Sequence, residues 1–221
     1  MATYTLYADN AQYNESALLY GPGFTSGSTT WEAEHDGATG FVFEAVNVFY
    51  NDARVVSGPL YQIKRMRLHF DPAAIGAGET IISAVLSLYL SIITQNLGDQ
   101  GVHIVSGVDM DPVNAVAADY GALLNKTTPF ASMLYSAMTL NAYNAMTLSA
   151  DAIAELNGYL AAGQWLRLGV RPTLDLENIP AIDGVREHRG QFGGDSSTHP
   201  PMLVLVTTPA VKGRSQALFI G

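Results

Sequence analysis

A cysteine-free chain of 221 residues, 48% of them hydrophobic, is long enough to bury one substantial core without disulfide staples, and it has no thiolate metal site. Its formal charge of -9 argues against general nucleic-acid binding, which needs clustered Lys and Arg to displace counterions. No apolar run approaches the roughly 18 to 20 residues of a membrane span, and with 14% charged residues the surface suits contacts with proteins or sugars.

Residues 1–9 lack a basic n-region and an apolar h-region, so they read as a strand rather than a secretory signal. Residues 10–30 are rich in Asn, Ser, Gly and Thr and contain Gly21-Pro22-Gly23; they read as loop with a short edge piece at 18–21. Trp31-Glu32-Ala33-Glu34-His35-Asp36 gathers three acids and a histidine and reads as a solvated loop, with cation binding or acid–base work as the competing reading. Residues 41–50 are β-rich, with Phe41, Phe43, Val46 and Val48 inward and a phase slip near Ala45 of the kind a bulge makes.

Two amphipathic strands follow. In residues 64–71, Met66, Leu68 and Phe70 share one side, while Arg65, Arg67 and His69 share the other. In residues 81–92, Leu86, Leu88, Leu90 and Ile92 lie opposite Ser87, Tyr89 and Ser91. The turn between them, with Gly76 and Gly78, suggests antiparallel layers over one core. Residues 101–108 form another short strand, and 109–139 a long connection whose alanine-rich part, 113–124, suits short helices. Residues 140–148 read as a strand leading into a helix over 150–161, N-capped by Ser149, striped by Ile153, Leu156 and Leu160, and stopped by Gly163. Strict alternation returns at 164–171 with Leu166, Leu168 and Val170 inward; a strand follows around 184–192, and the last spans 200–207. Without a fixed internal period, these elements predict an all-β, jelly-roll-like antiparallel β-sandwich over residues 1–208, with one short surface helix and a C-terminal tail at 209–221.

The five histidines, at 35, 69, 103, 188 and 199, show no HExxH spacing, and the chain has no Gly-x-Ser-x-Gly elbow, P-loop or dinucleotide fingerprint. We therefore expect no enzyme, no catalytic residues and no metal site. The oxygen ligands of Asp109, Asp111, Asp175 and Glu177 give only a weak calcium signal, and no other cofactor is expected. The more distinctive constellation is Arg65, Arg67, His69, Tyr89, Trp165, Arg167 and Arg171, all phased away from the leucine-lined core. Such residues make a recognition face, which Arg186, His188 and Arg189 extend; the competing reading is cross-strand ladders that are solvated or covered by the chain's own loops. Leu218, Phe219 and Ile220 end the tail and are candidates for assembly contacts.

The order of elements resembles the jelly-roll family of DNRLRE-type domains, similar to some carbohydrate-binding modules. The residues that carry the resemblance are Ala8-Asp9; Arg65, Leu68, Phe70 and Asp71; Ile81, Ala84, Leu86 and Leu88; the helix and the strand at 166–171; and Pro201, Leu203 and Leu205. It covers residues 2–208. The resemblance implies either a structural protein of a tailed phage or a secreted polysaccharide-associated protein. With a Met start, no signal peptide and a tail, the first expectation is a non-enzymatic virion protein (capsid decoration, capsid-associated or tail component), made in the host cytoplasm and partnered by copies of itself and other virion proteins, with neither nucleic acid nor membrane bound. The alternative is an extracellular carbohydrate-binding module with Trp165 and Tyr89 as the glycan platform; a weaker one is a self-polymerising filament subunit whose tail acts as donor strand.

Overall fold

The computed structural model describes residues 1–8, 16–23, 28, 30–44, 48–55, 60–95, 100–181, 188–194 and 197–209. Twelve strands are found among them: β1 (Ala2–Tyr7), β2 (Ala17–Tyr20), β3 (Phe41–Glu44), β4 (Val48–Val55), β5 (Tyr61–Phe70), β6 (Thr80–Gln95), β7 (Gly101–Ser106), β8 (Ala131–Leu134), β9 (Ala142–Thr147), β10 (Leu166–Pro172), β11 (His188–Gly193) and β12 (Met202–Thr208). Helices α1 (Trp31–His35), α2 (Asp119–Ala122), α3 (Ala150–Ala161) and α4 (Thr173–Leu176), with a 3-10 turn at Tyr135–Ala137, complete the described elements. The strands pair antiparallel in the order β1-β12-β6-β11-β4-β5-β10-β7-β8, with β9 on β6 and β2 bridging β3 and β5. This curled sheet is an all-β, jelly-roll-like sandwich.

Alternation builds the main core. Leu6 of β1, Leu203 and Leu205 of β12, and Ala84, Leu86, Leu88 and Leu90 of β6 meet Met66, Leu68 and Phe70 of β5 and Leu166, Leu168 and Val170 of β10. Helix α3 closes one side of this core through Ala152, Leu156 and Tyr159. Its start is fixed by the Ser149 hydroxyl, which accepts from Ala152 N at 3.3 Å, and its end by Gly163 at φ +65°, the left-handed conformation that glycine adopts without a Cβ clash.

A second apolar cluster lies on the other face of the same strands. Leu19, Ala53, Ile63 and Val105 pack there against Trp31, Met110, Tyr120, Leu123 and Leu174. All seven residues of β10 and nine of the ten in β5 are buried, so α1, α2, α4 and the 107–126 segment form a cover over what the alternation alone marks as an outer face. The fit is close: a Cβ on Gly169 would sit 2.3 Å from Leu123 Cδ2.

Several expectations change. Residues 17–20 are not an edge piece, because β2 runs between β3 and β5. Trp31–His35 is a helix capped by the Thr30 side chain, with Trp31, Glu34 and His35 buried, rather than a solvated loop. Phe41 is exposed, while Val42 and Phe43 pack against the two cores. The register of β11 against β6 shifts between Gln191 and Phe192, so Ile92 turns outward and Ile93 takes the core position expected of it. Val46 and the phase slip near Ala45 lie outside the described residues.

Leu168 lies fully buried in the main core. Leu168→Ala is expected to cost about 2–5 kcal/mol through lost burial and a residual cavity, read as a lower urea midpoint with unchanged slope.

Candidate functional site

The residues expected to form one recognition face separate into three places. Arg65, Arg67 and His69 on β5 and Arg167 and Arg171 on β10 do come together, on the face away from the leucine core, and they lie buried beneath the cover. They are not a surface available to a partner. A guanidinium removed from water needs an opposing charge and acceptors for its five N–H groups, and the cover supplies most of both.

Asp175 of α4 sits between two arginines. Arg65 donates from Nε to its Oδ2 at 2.9 Å and from Nη2 to its Oδ1 at 2.6 Å, and Arg171 Nε donates to Oδ2 at 2.7 Å. Burial alone would push the Asp175 carboxyl up, yet the two guanidiniums outweigh it and hold the group well below the usual carboxylate range. Burial likewise disfavours the Arg65 cation, and Asp175 more than offsets it, so the Arg65 pKa is raised. The remaining donors reach backbone carbonyls: Arg65 to Tyr120 O at 2.5 Å and His35 O at 3.0 Å, Arg171 to Leu124 O at 2.8 Å and Asp175 O at 2.7 Å. The Arg65 guanidinium also lies 4.0 Å from the Tyr120 ring centroid.

A second pair stands beside the first. Arg67 Nη1 donates to Asp119 Oδ2, and Arg67 Nη2 to Asp111 O at 2.9 Å. Here burial outweighs Asp119, and the Arg67 pKa falls. Glu34 fastens α1 to the sheet, accepting from Ile63 N at 2.9 Å, Gly23 N at 2.8 Å and Ser28 Oγ at 2.8 Å, while burial pushes its carboxyl up. His103 of β7 lies between Ser132 Oγ at 2.8 Å and Thr173 Oγ1 at 2.9 Å; burial first, then the Arg171 charge, lowers its pKa to about 4.

Tyr89 lies elsewhere, on the outward face of β6. Its ring stacks on His199 at 4.0 Å and meets the edge of Tyr143 at 5.4 Å. Trp165 is half-buried in a third place, lining a shallow cavity of about 320 Å³ with Asp71, Pro72, Gly76 and Leu160. Arg186, the side chains of His188 and Arg189, and the tail residues Leu218, Phe219 and Ile220 lie outside the described residues. Asp175, one of the calcium candidates, is fully engaged by arginine, and no cluster of three or more metal-ligating side chains occurs among the described residues.

Sequence reasoning missed the partners rather than the arginines. Asp119 lies 52 residues from Arg67 and Asp175 lies 110 from Arg65, distances across which no local pattern reports contact. The i,i+4 spacing of Arg171 and Asp175 was the available signal. Neither protein-family models nor curated proteins match this chain.

Two outcomes follow from the ionic layer. Asp175→Asn keeps the shape but strips the charge that two buried guanidiniums share, and is expected to cost about 3–5 kcal/mol in chemical denaturation. For His103, the folded pKa near 4 lies below its ordinary value of 6.5, so between these values the unfolded chain binds the additional proton and this group's contribution to stability falls as pH drops. His103→Gln is expected to flatten the decline of the urea midpoint between pH 6.5 and pH 4.

Proposed function

We propose that this protein is a non-enzymatic structural protein of a tailed-phage particle, working through contacts between protein surfaces. The observation that carries the reading is the outward face of β1, β12, β6 and β9. Its cross-strand rows are Thr3–Val206–Ser83, Thr5–Val204–Val85–Thr147, Tyr7–Met202–Ser87–Ala145 and Tyr89–Tyr143. No Asp, Glu, Lys or Arg stands in any of them, although the chain carries a formal charge of -9.

Copies of an acidic protein repel one another, and an uncharged sheet face is where that repulsion is weakest and apolar burial most favourable. Tyrosine suits such a contact, since its ring buries area while its hydroxyl keeps a hydrogen bond. On a particle, many weak contacts of this kind act together through effective concentration. The buried arginine layer supports the same reading, because it commits much of the chain's basic chemistry to holding the cover in place.

One observation favours a glycan-binding module as the second reading. Tyr89, Tyr143 and His199 form an aromatic cluster on this face, with Tyr143 and His199 exposed.

Size-exclusion chromatography with light scattering distinguishes the two. The structural reading expects concentration-dependent oligomers, with Val204→Lys, at the centre of the face, raising the dissociation constant at least tenfold. A monomer at all concentrations that is retarded on a polysaccharide affinity gel, with retardation lost in Tyr143→Ala, would favour the glycan module instead.

A further inference from the structure

Among the described residues, the Arg167 guanidinium of the ionic layer makes no hydrogen bond to a carboxylate, although it lies near enough to Asp111 to lower that carboxyl's pKa. Arg65 and Arg171 share Asp175, and Arg67 holds Asp119. Arg167, 4% exposed, reaches no carboxylate among the described residues: Nη2 donates to Gln164 Oε1 at 3.2 Å, and the guanidinium carbon lies 4.4 Å from the centroid of the Tyr159 ring. Among the described residues, its Nε and Nη1 are buried with no acceptor at hydrogen-bond geometry.

His69 stands directly opposite Arg167 in the β5–β10 register, so the two side chains leave the same face of the sheet as neighbours. His69 is fully buried. Its Nδ1 lies 3.4 Å from Arg67 Nη2, and a guanidinium only donates, so Nδ1 is the accepting nitrogen and the ring proton belongs on Nε2. Burial, with the charges of Arg67 and Arg167, lowers the His69 pKa well below its ordinary value, which keeps the ring neutral and able to accept there. Nε2–H likewise has no acceptor among the described residues.

Two facing, buried residues thus present three orphan donor atoms. The nearby carboxylates make their hydrogen bonds to other donors: Glu155 takes the Tyr159 hydroxyl, Ser106 Oγ and Gly107 N. Asp119 takes Arg67 together with the N–H groups of Asp111 and Val116, and Asp111 Oδ1 takes those of Val113 and Asn114. A buried donor without a partner costs about 1–3 kcal/mol, more when it is charged. The donors reject a cation, and the complement they call for is an acceptor, held most strongly where it is anionic.

We infer that Arg167 and His69 form a binding site for a small inorganic monoanion, held by charge-assisted hydrogen bonds from Arg167 Nε and Nη1 and by the His69 Nε2–H. The bound anion cross-links β10 to β5 by satisfying donors from both strands. Its role is independent of the particle or glycan reading above, since it acts within a single chain.

The test uses the full-length protein with chloride as the probe. Chloride replaces gluconate at constant ionic strength while thermal unfolding is followed. The expected result is a saturable rise in Tm, about 2 to 4 °C when chloride reaches ten times its dissociation constant, lost in Arg167→Gln. A flat wild-type response, or an equal rise in both proteins, would overturn the site.

Should Arg167→Gln fail to fold, crystals grown in bromide decide the matter. An anomalous peak within hydrogen-bond distance of Arg167 Nη1 and His69 Nε2, together with the wild-type chloride response, supports the site. Density without an anomalous signal identifies a water and overturns it; an anomalous peak with no linked change in Tm identifies an adventitious ion only, and overturns it too.

Discussion

The Asp175 carboxylate, held between Arg65 and Arg171, is the contact on which the two-layered half of this protein depends. Central strands β5 and β10 present guanidiniums on the face away from the leucine core, and an uncovered sheet would leave those groups in water at little cost. Once α1, α2, α4 and the 107–126 segment close over them, every donor needs an acceptor. Asp175, Asp119 and the backbone carbonyls of the cover meet most of that demand. The cover is thus positioned by polar complementarity, while Leu19, Tyr120, Leu123 and Leu174 add the apolar burial that holds it down.

That arrangement gives the two sides of the molecule different characters. On the covered side, charge is internal and bound into a network in which removing one member strands another. On the β1-β12-β6-β9 side, charge is absent from the rows of the sheet and tyrosine stands in its place. The same period-2 alternation produced both: Arg65, Arg67 and His69 alternate with core residues as regularly as Thr3, Thr5 and Tyr7 do.

This equivalence explains how far the sequence could be read. Alternation reports which face a side chain leaves from, so the core residues of β5, β6 and β10 and the opposed placement of the arginines were legible, as were the Ser149 cap and the helix to Ala161. It does not report what lies above that face. The cover is built from short helices such as α1 and α2, whose polar residues resemble solvated loop; Glu34 looked like one acid among three, although its bonds all run inward to Gly23, Ser28 and Ile63. Ile92 was misplaced for a related reason, since the register shift opposite Phe192 reverses the phase without any Gly or Pro to mark it. Tyr143 and His199 joined Tyr89 through strand pairing and ring stacking that local sequence does not encode.

The position of β12 also constrains how the sheet closes. Residues 202–207 lie between β1 and β6, so the pairing of β1 joins segments about 200 residues apart in sequence. Among the described residues β12 is the strand that pairs with β1, and before it docks the β6 edge that receives it stays open, a long-range closure of the kind that slows folding. Without β12 the rows that run from β1 to β6 are broken, and with them the continuous uncharged face. The uncharged surface on which assembly is proposed to rest therefore forms only once this most distant strand pairing is made.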